Sequence, residues 1–106
     1  MKILFAGCGD IGTRSAARLA SDFDCSGLKR NPKTLPDYIS PLAGSMADLD
    51  RLVEVLDQDF DVVVATLTPD GFNPEAYQRA YVDSAKTLAS AMALATSVPK
   101  LVIWVS

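Results

Sequence analysis

Histidine is absent from the 106 residues, which excludes a His-based catalytic triad, an HExxH zinc site and a histidine proton shuttle within the chain. Cysteine is scarce. Cys8 and Cys25 form no CxxC pair and have no histidine beside them, so a zinc site lacks ligands and both read as reduced core thiols. Neither sign of charge is in large excess, with 10 Lys+Arg against 13 Asp+Glu and a net charge of -3. Without clustered basic residues there is nothing to hold a phosphate backbone, so no nucleic-acid partner is expected. Long apolar runs are missing too. The longest uncharged stretch, Thr87 to Pro99, falls short of the ~18 residues of a membrane span. The apolar opening before Ala6-Gly7-Cys8 is shorter than the ~7–15-residue core of an export signal. These absences leave a cytoplasmic protein with no membrane partner as the expectation. What is present, 49% hydrophobic and 22% charged residues, is the composition of a globular domain. A chain of this mass buries roughly 65% of its unfolded surface, enough for one core.

Ile3-Leu4-Phe5-Ala6 is a continuous apolar run ending in glycines, which fits a central parallel strand covered on both faces. From Ile11 to Phe23, apolar residues at three- to five-residue steps predict a helix. Cys25-Ser26-Gly27-Leu28 reads as a second strand. Pro32, Pro36 and Pro41 make the next stretch mostly loop, with Leu42-Ala43 the remnant of a third strand. Asp48 caps a helix carried by Leu49, Leu52, Val53 and Leu56, and Asp61 to Thr66 is a fourth, β-branched strand. Thr68-Pro69-Asp70-Gly71 is a turn. Asn73-Pro74 starts a helix that nothing breaks until Pro99, and Leu101 to Val105 is a fifth strand. This β/α alternation predicts a doubly wound parallel sheet of the Rossmann type, five strands in the order 3-2-1-4-5, occupying residues 1–106 as one domain.

Gly7-Cys8-Gly9-Asp10-Ile11-Gly12 is a GxGxxG placed directly after a strand and opening a helix. The first glycine permits a tight turn, the second lets a pyrophosphate approach the backbone, and the third allows close helix–strand packing. Free N–H groups and the positive helix end then hold phosphates. Gly7, Gly9, Asp10, Ile11 and Gly12 are therefore candidate cofactor contacts. After the second strand, where an acidic residue would accept from the ribose 2′-hydroxyl of NAD, the chain has Lys29-Arg30. A guanidinium pairs a 2′-phosphate, so NADP is the expected cofactor, with NAD as the alternative. Ser45 and Met46 after the third strand are placed to flank adenine, and Thr66, Leu67 and Thr68 after the fourth to line the cofactor ribose.

Lys2 through Gly12, followed by Leu28-Lys29-Arg30-Asn31-Pro32, resembles the start of the NAD(P)-dependent epimerase/dehydratase family, within the extended and atypical short-chain dehydrogenase/reductases. Asp61-Val62-Val63-Val64-Ala65 is similar to the family's fourth strand. Tyr81 to Leu88 is similar to its long helix, and Leu101 to Ser106 to the strand leading to the catalytic serine. Three departures stand out. The glycine spacing is GxGxxG rather than GxxGxxG, and Ser45 stands where many members carry an Asp that touches adenine. The family's Tyr-x-x-x-Lys and active-site Ser or Thr lie beyond residue 106. The resemblance implies a parent enzyme that transfers hydride between nicotinamide and a carbonyl or alcohol of a small-molecule substrate. It assigns no catalytic residue to this chain, which alone is expected to be inactive.

An apolar fifth strand without a covering helix is read as the edge of an incomplete domain, the N-terminal portion of a larger enzyme. The wide apolar arc of the helix Pro74–Ser97 is read as a homodimer surface. Two other readings stay open: a free-standing regulatory nucleotide-sensing module, and a Rossmann dehydrogenase with a separate substrate domain.

Overall fold

Apolar side chains on successive strand residues can all be buried only where both faces of the sheet are covered. The computed structural model describes residues 1–67 and 71–105, and at Asp10 the backbone alone. Lys2–Ala6 forms β1, the central strand of a five-stranded parallel sheet ordered β3-β2-β1-β4-β5. The other strands are β2 (Asp24–Lys29), β3 (Ser40–Ala43), β4 (Val62–Ala65) and β5 (Leu101–Trp104). The helices are α1 (Asp10–Leu19), α2 (Leu49–Leu56), α3 (Pro74–Tyr77) and α4 (Ser84–Leu94). Alternation along β1 divides the core. Leu4 and Ala6 pack with Leu28, Leu52 and Val55 of the α2 side and Leu88 of α4. Ile3 and Phe5 pack with Cys8, Ala16 of α1, Cys25 and Ile39.

The order and parallel sense of the strands agree with the sequence reading, and so do two helix starts. Asp48 accepts from the Arg51 N–H at 3.1 Å, and Asn73 from the Ala76 N–H at 2.8 Å with Pro74 at the first helical position. Three details differ. α1 stops at Leu19, after which the Phe23 N–H bonds the Leu19 carbonyl at 2.9 Å and a turn returns the chain to the sheet. β3 begins at Ser40 and contains Pro41, which sits opposite Gly27. An edge strand tolerates proline because half its backbone groups need no ladder partner.

The long helix differs most. Between α3 and α4 lies a π-helical segment, Gln78–Asp83, and the helix ends at Leu94 rather than running to Pro99. At the widened turn, the Arg79 carbonyl accepts the Ser84 N–H, five residues on, and Ser84 Oγ donates to the same carbonyl at 2.9 Å. At the far end, Asp57, the residue after α2, accepts from the Thr96 N–H at 2.7 Å and Thr96 Oγ1 at 2.9 Å. Asp59, at φ 71, accepts from Ser97 Oγ. These two carboxylates draw the chain out of the helix and toward β5.

The hydrogen bonds from Thr96 hold the Asp57 carboxyl below its ordinary value of 3.8. A pKa depressed on folding adds stability above the unfolded value and loses it as pH falls through the folded one. The Asp57→Ala variant is therefore expected to melt below wild type at neutral pH, and the gap should narrow progressively as pH falls from about 5 through the folded value. Melting curves at a series of pH values check this; a gap independent of pH would show that the carboxylate charge contributes nothing.

Candidate functional site

At the carboxyl end of β1 the chain reverses by a turn only glycine adopts without strain. Gly7 has φ +73, and a Cβ there would run into Leu67 Cδ2. The N–H groups of Gly7 and Cys8 both donate to the Leu28 carbonyl, at 2.9 and 3.0 Å, which ties the loop to the end of β2. The Gly9 N–H bonds the Gly7 carbonyl at 2.8 Å, and the first α1 bond runs from the Thr13 N–H to the Gly9 carbonyl at 2.9 Å. Gly9 is the residue before α1 and has no side chain to cap it, whereas α2 and α3 are capped by Asp48 and Asn73.

The three glycines do three different things. Gly7 allows the turn. A Cβ on Gly9 would meet nothing within 4 Å, so its backbone faces open space. A Cβ on Gly12 would lie 3.1 Å from Thr66 Oγ1 and 3.3 Å from Cys8 Sγ, so its absence lets α1 close onto β1 and β4. Thr66 is buried, with Oγ1 donating to the Gly7 carbonyl at 3.1 Å, and it fastens the loop from beneath.

The glycine loop forms one wall of a cleft of about 680 Å³. Lys29, Arg30 and Asn31 from the exit of β2 line it, with Gly44, Ser45, Met46 and Ala47 after β3 and Leu67 after β4. The opposite wall is the long helix, through Ala76, Arg79, Ala80, Asp83, Ser84 and Thr87. Among the described lining residues, Lys29, Arg30 and Arg79 carry positive charge and Asp83 alone carries negative charge. Burial pushes the Cys8 thiol up, against smaller opposing effects of the Thr13 hydroxyl and Lys29, so no thiolate opposes an anion at the loop.

Of the residues read from the sequence, Gly7, Gly9, Lys29, Arg30, Ser45, Met46 and Leu67 line the cleft. Ile11, Gly12 and Thr66 do not: Ile11 is half-exposed, and the other two serve packing and fastening. The Asp10 side chain and Thr68 lie outside the described residues. Sequence reasoning missed the helix wall. Its signal was the run of small residues Ala76, Ala80, Ser84 and Thr87 at steps of four, four and three, a stripe too slight to fill space against a neighbouring helix.

A solved structure from Methylobacillus flagellatus, described as a putative NAD-dependent epimerase/dehydratase, is 29% identical, with a TM-score of 0.72 over 99% of this chain and 36% of its own. The shared fold is a parallel sheet of the Rossmann type. A structure described as a putative exported protein from Burkholderia pseudomallei is 25% identical, with a TM-score of 0.73 over 98% of this chain and 47% of that one. A wide-type short-chain dehydrogenase/reductase from Veillonella parvula, in complex with NADP, shares the fold at 19% identity, with a TM-score of 0.73 over 99% of this chain and 46% of its own. The chain thus spans less than half the length of these solved structures. No family model and no curated protein matches its sequence. No helix among the described residues is long and apolar enough to cross a membrane, and they contain no cluster of metal-ligating side chains.

The Gly7→Ala variant is expected to lose at least about 1–2 kcal/mol, because alanine is strained at positive φ. Gly9→Ala, whose Cβ has no neighbour, should melt within about a degree or two of wild type, less than the shift from ~1 kcal/mol. Thermal denaturation of the two variants checks the contrast; equal losses would contradict the separate roles of the two glycines.

Proposed function

We propose that this chain is the dinucleotide-binding part of a larger NAD(P)-dependent oxidoreductase, epimerase or dehydratase, with NADP favoured over NAD. The observation that carries the reading is the meeting, in one cleft, of an open-faced Gly9 at the start of α1 with Lys29 and Arg30 at the exit of β2. The uncapped amide groups at the start of α1 and the helix dipole suit a pyrophosphate, and the missing Cβ at Gly9 leaves room for it. Arg30 is exposed at the rim, where a guanidinium pairs a 2′-phosphate in two parallel hydrogen bonds; Lys29 adds charge. Ser45 and Met46 flank the base, and Leu67 lines the ribose.

The bound cofactor supplies hydride chemistry at the nicotinamide, which this chain would hold and orient rather than catalyse. By the family resemblance, the proton-handling residues would come from outside this chain. The shorter span relative to the similar structures supports this division of labour, as do Leu101 and Ile103 on β5, 52% and 42% exposed.

Calorimetric titration of the chain with NADPH and NADH at one fixed salt concentration tests the reading. NADPH is expected to bind about tenfold or more tightly than NADH, the worth of a charge-assisted pair. Arg30→Ala should bring the two within about threefold, and Gly9→Ala should weaken both equally. Equal affinities in wild type would remove the NADP preference, and no binding of either by the folded chain would remove the cofactor reading.

A further inference from the structure

Hydroxyl hydrogens decide what the helix wall of the cleft can offer a ligand. Ser84 Oγ donates to the Arg79 carbonyl and Thr87 Oγ1 to the Asp83 carbonyl, both at 2.9 Å, so each turns only lone pairs toward the cleft. Asp83 adds a carboxylate, an acceptor at both oxygens. Its Oδ1 takes the Gln78 amide at 3.2 Å, which uses part of that capacity. From Asp83 to Thr87 the wall therefore accepts hydrogen bonds and gives none from its side chains. Across the cleft the polarity reverses. Lys29 and Arg30 are donors only, and the Asn31 oxygen already receives the Lys33 N–H at 3.4 Å, which leaves its amide hydrogens to the cleft. Arg79, the cation of the helix wall, lies one turn before Asp83, and the two also border a shallow outer depression with Pro74, Glu75 and Gln78.

The π-helical segment sets this pattern. One extra residue in the turn rotates everything after it by about 100° relative to an unbroken α-helix, and here Ser84 and Thr87 follow it. A ligand with anionic groups at one end and an exposed amine at the other fits such a cleft in one orientation.

We propose that the helix wall reads the six-position of a purine, with Asp83 as the acceptor for the exocyclic amine of adenine. A purine carrying a carbonyl at that position would set its oxygen against the lone pairs of Asp83, Ser84 and Thr87. Asp83 is thus a specificity-determining residue for the base, as Arg30 is for the ribose phosphate. The proposal rests on the dinucleotide reading above and adds the group that selects the nucleobase.

The test compares NADPH with its hypoxanthine analogue, which carries a carbonyl for the amine and a hydrogen on the neighbouring N1, by calorimetry at fixed salt. Wild type is expected to bind NADPH about tenfold more tightly than the analogue, the worth of one good hydrogen bond exchanged for a repulsion. Asp83→Asn, at an exposed position and able to donate to a carbonyl, should fold normally and narrow the gap to about threefold. Its NADPH-to-NADH ratio should stay at the wild-type value. Equal wild-type affinity for the two bases, or an undiminished gap in Asp83→Asn, would overturn this proposal and leave the cofactor reading standing. A rise in the NADPH-to-NADH ratio in Asp83→Asn would also overturn it, by placing the Asp83 carboxylate against the phosphate. Failure of wild type to bind either nucleotide would overturn both readings.

Discussion

Two amide hydrogens, those of Gly7 and Cys8, converge on the carbonyl of Leu28, and the shape of the cleft depends on that convergence. It draws the turn after β1 against the end of β2. The start of α1 and the exit residues Lys29 and Arg30 therefore come from different parts of the chain yet border one space. The carbonyl of Gly7 is held in turn by the Gly9 N–H and by Thr66 Oγ1 from the end of β4. Three adjacent strands thus fix one six-residue loop, and little of its backbone conformation is left to the ligand. A preorganised loop spares a ligand the entropy of ordering it.

Most of the sheet was legible because its signals are local and redundant. A run such as Ile3-Leu4-Phe5-Ala6 can be buried on both faces only inside a covered sheet, and the caps Asp48 and Asn73 act within three residues of themselves. The glycine loop was legible for the same reason. What escaped depends on contacts distant in sequence or on side chains that override periodicity. The π-helical segment is accompanied by the hydroxyl of Ser84 on the Arg79 carbonyl, which a hydrophobic pattern does not register. The end of the same helix is set by Asp57 and Asp59, more than thirty-five residues earlier. Thr66 sits at the expected strand end, but its hydroxyl is spent on the glycine loop instead of facing the cleft.

Charge shows a similar division between global and local properties. The chain as a whole is acidic, at -3, yet the described lining of the cleft has three cations and one carboxylate. The acidic residues near the amino ends of the strands do structural work: Asp61 accepts the Lys2 N–H at 2.8 Å, and Asp57 and Asp59 hold the turn before β5. The cleft thus carries a local positive excess that an overall count conceals, and an anion is drawn toward it.

The packing of Cys8 against β2 also limits how this sequence can change. A Cβ added at Gly27 would lie 3.0 Å from both Cys8 Cβ and Cys8 Sγ, and 3.0 Å from Ile39 Cγ2. Positions 8, 27 and 39 thus share one fixed volume at a site with almost no exposure. A larger residue at position 27 becomes tolerable only after its neighbours have shrunk, and a shrunken neighbour alone leaves a void. Drift at these positions therefore passes through a less stable intermediate whichever residue moves first, so that related chains would be expected to exchange them as a set.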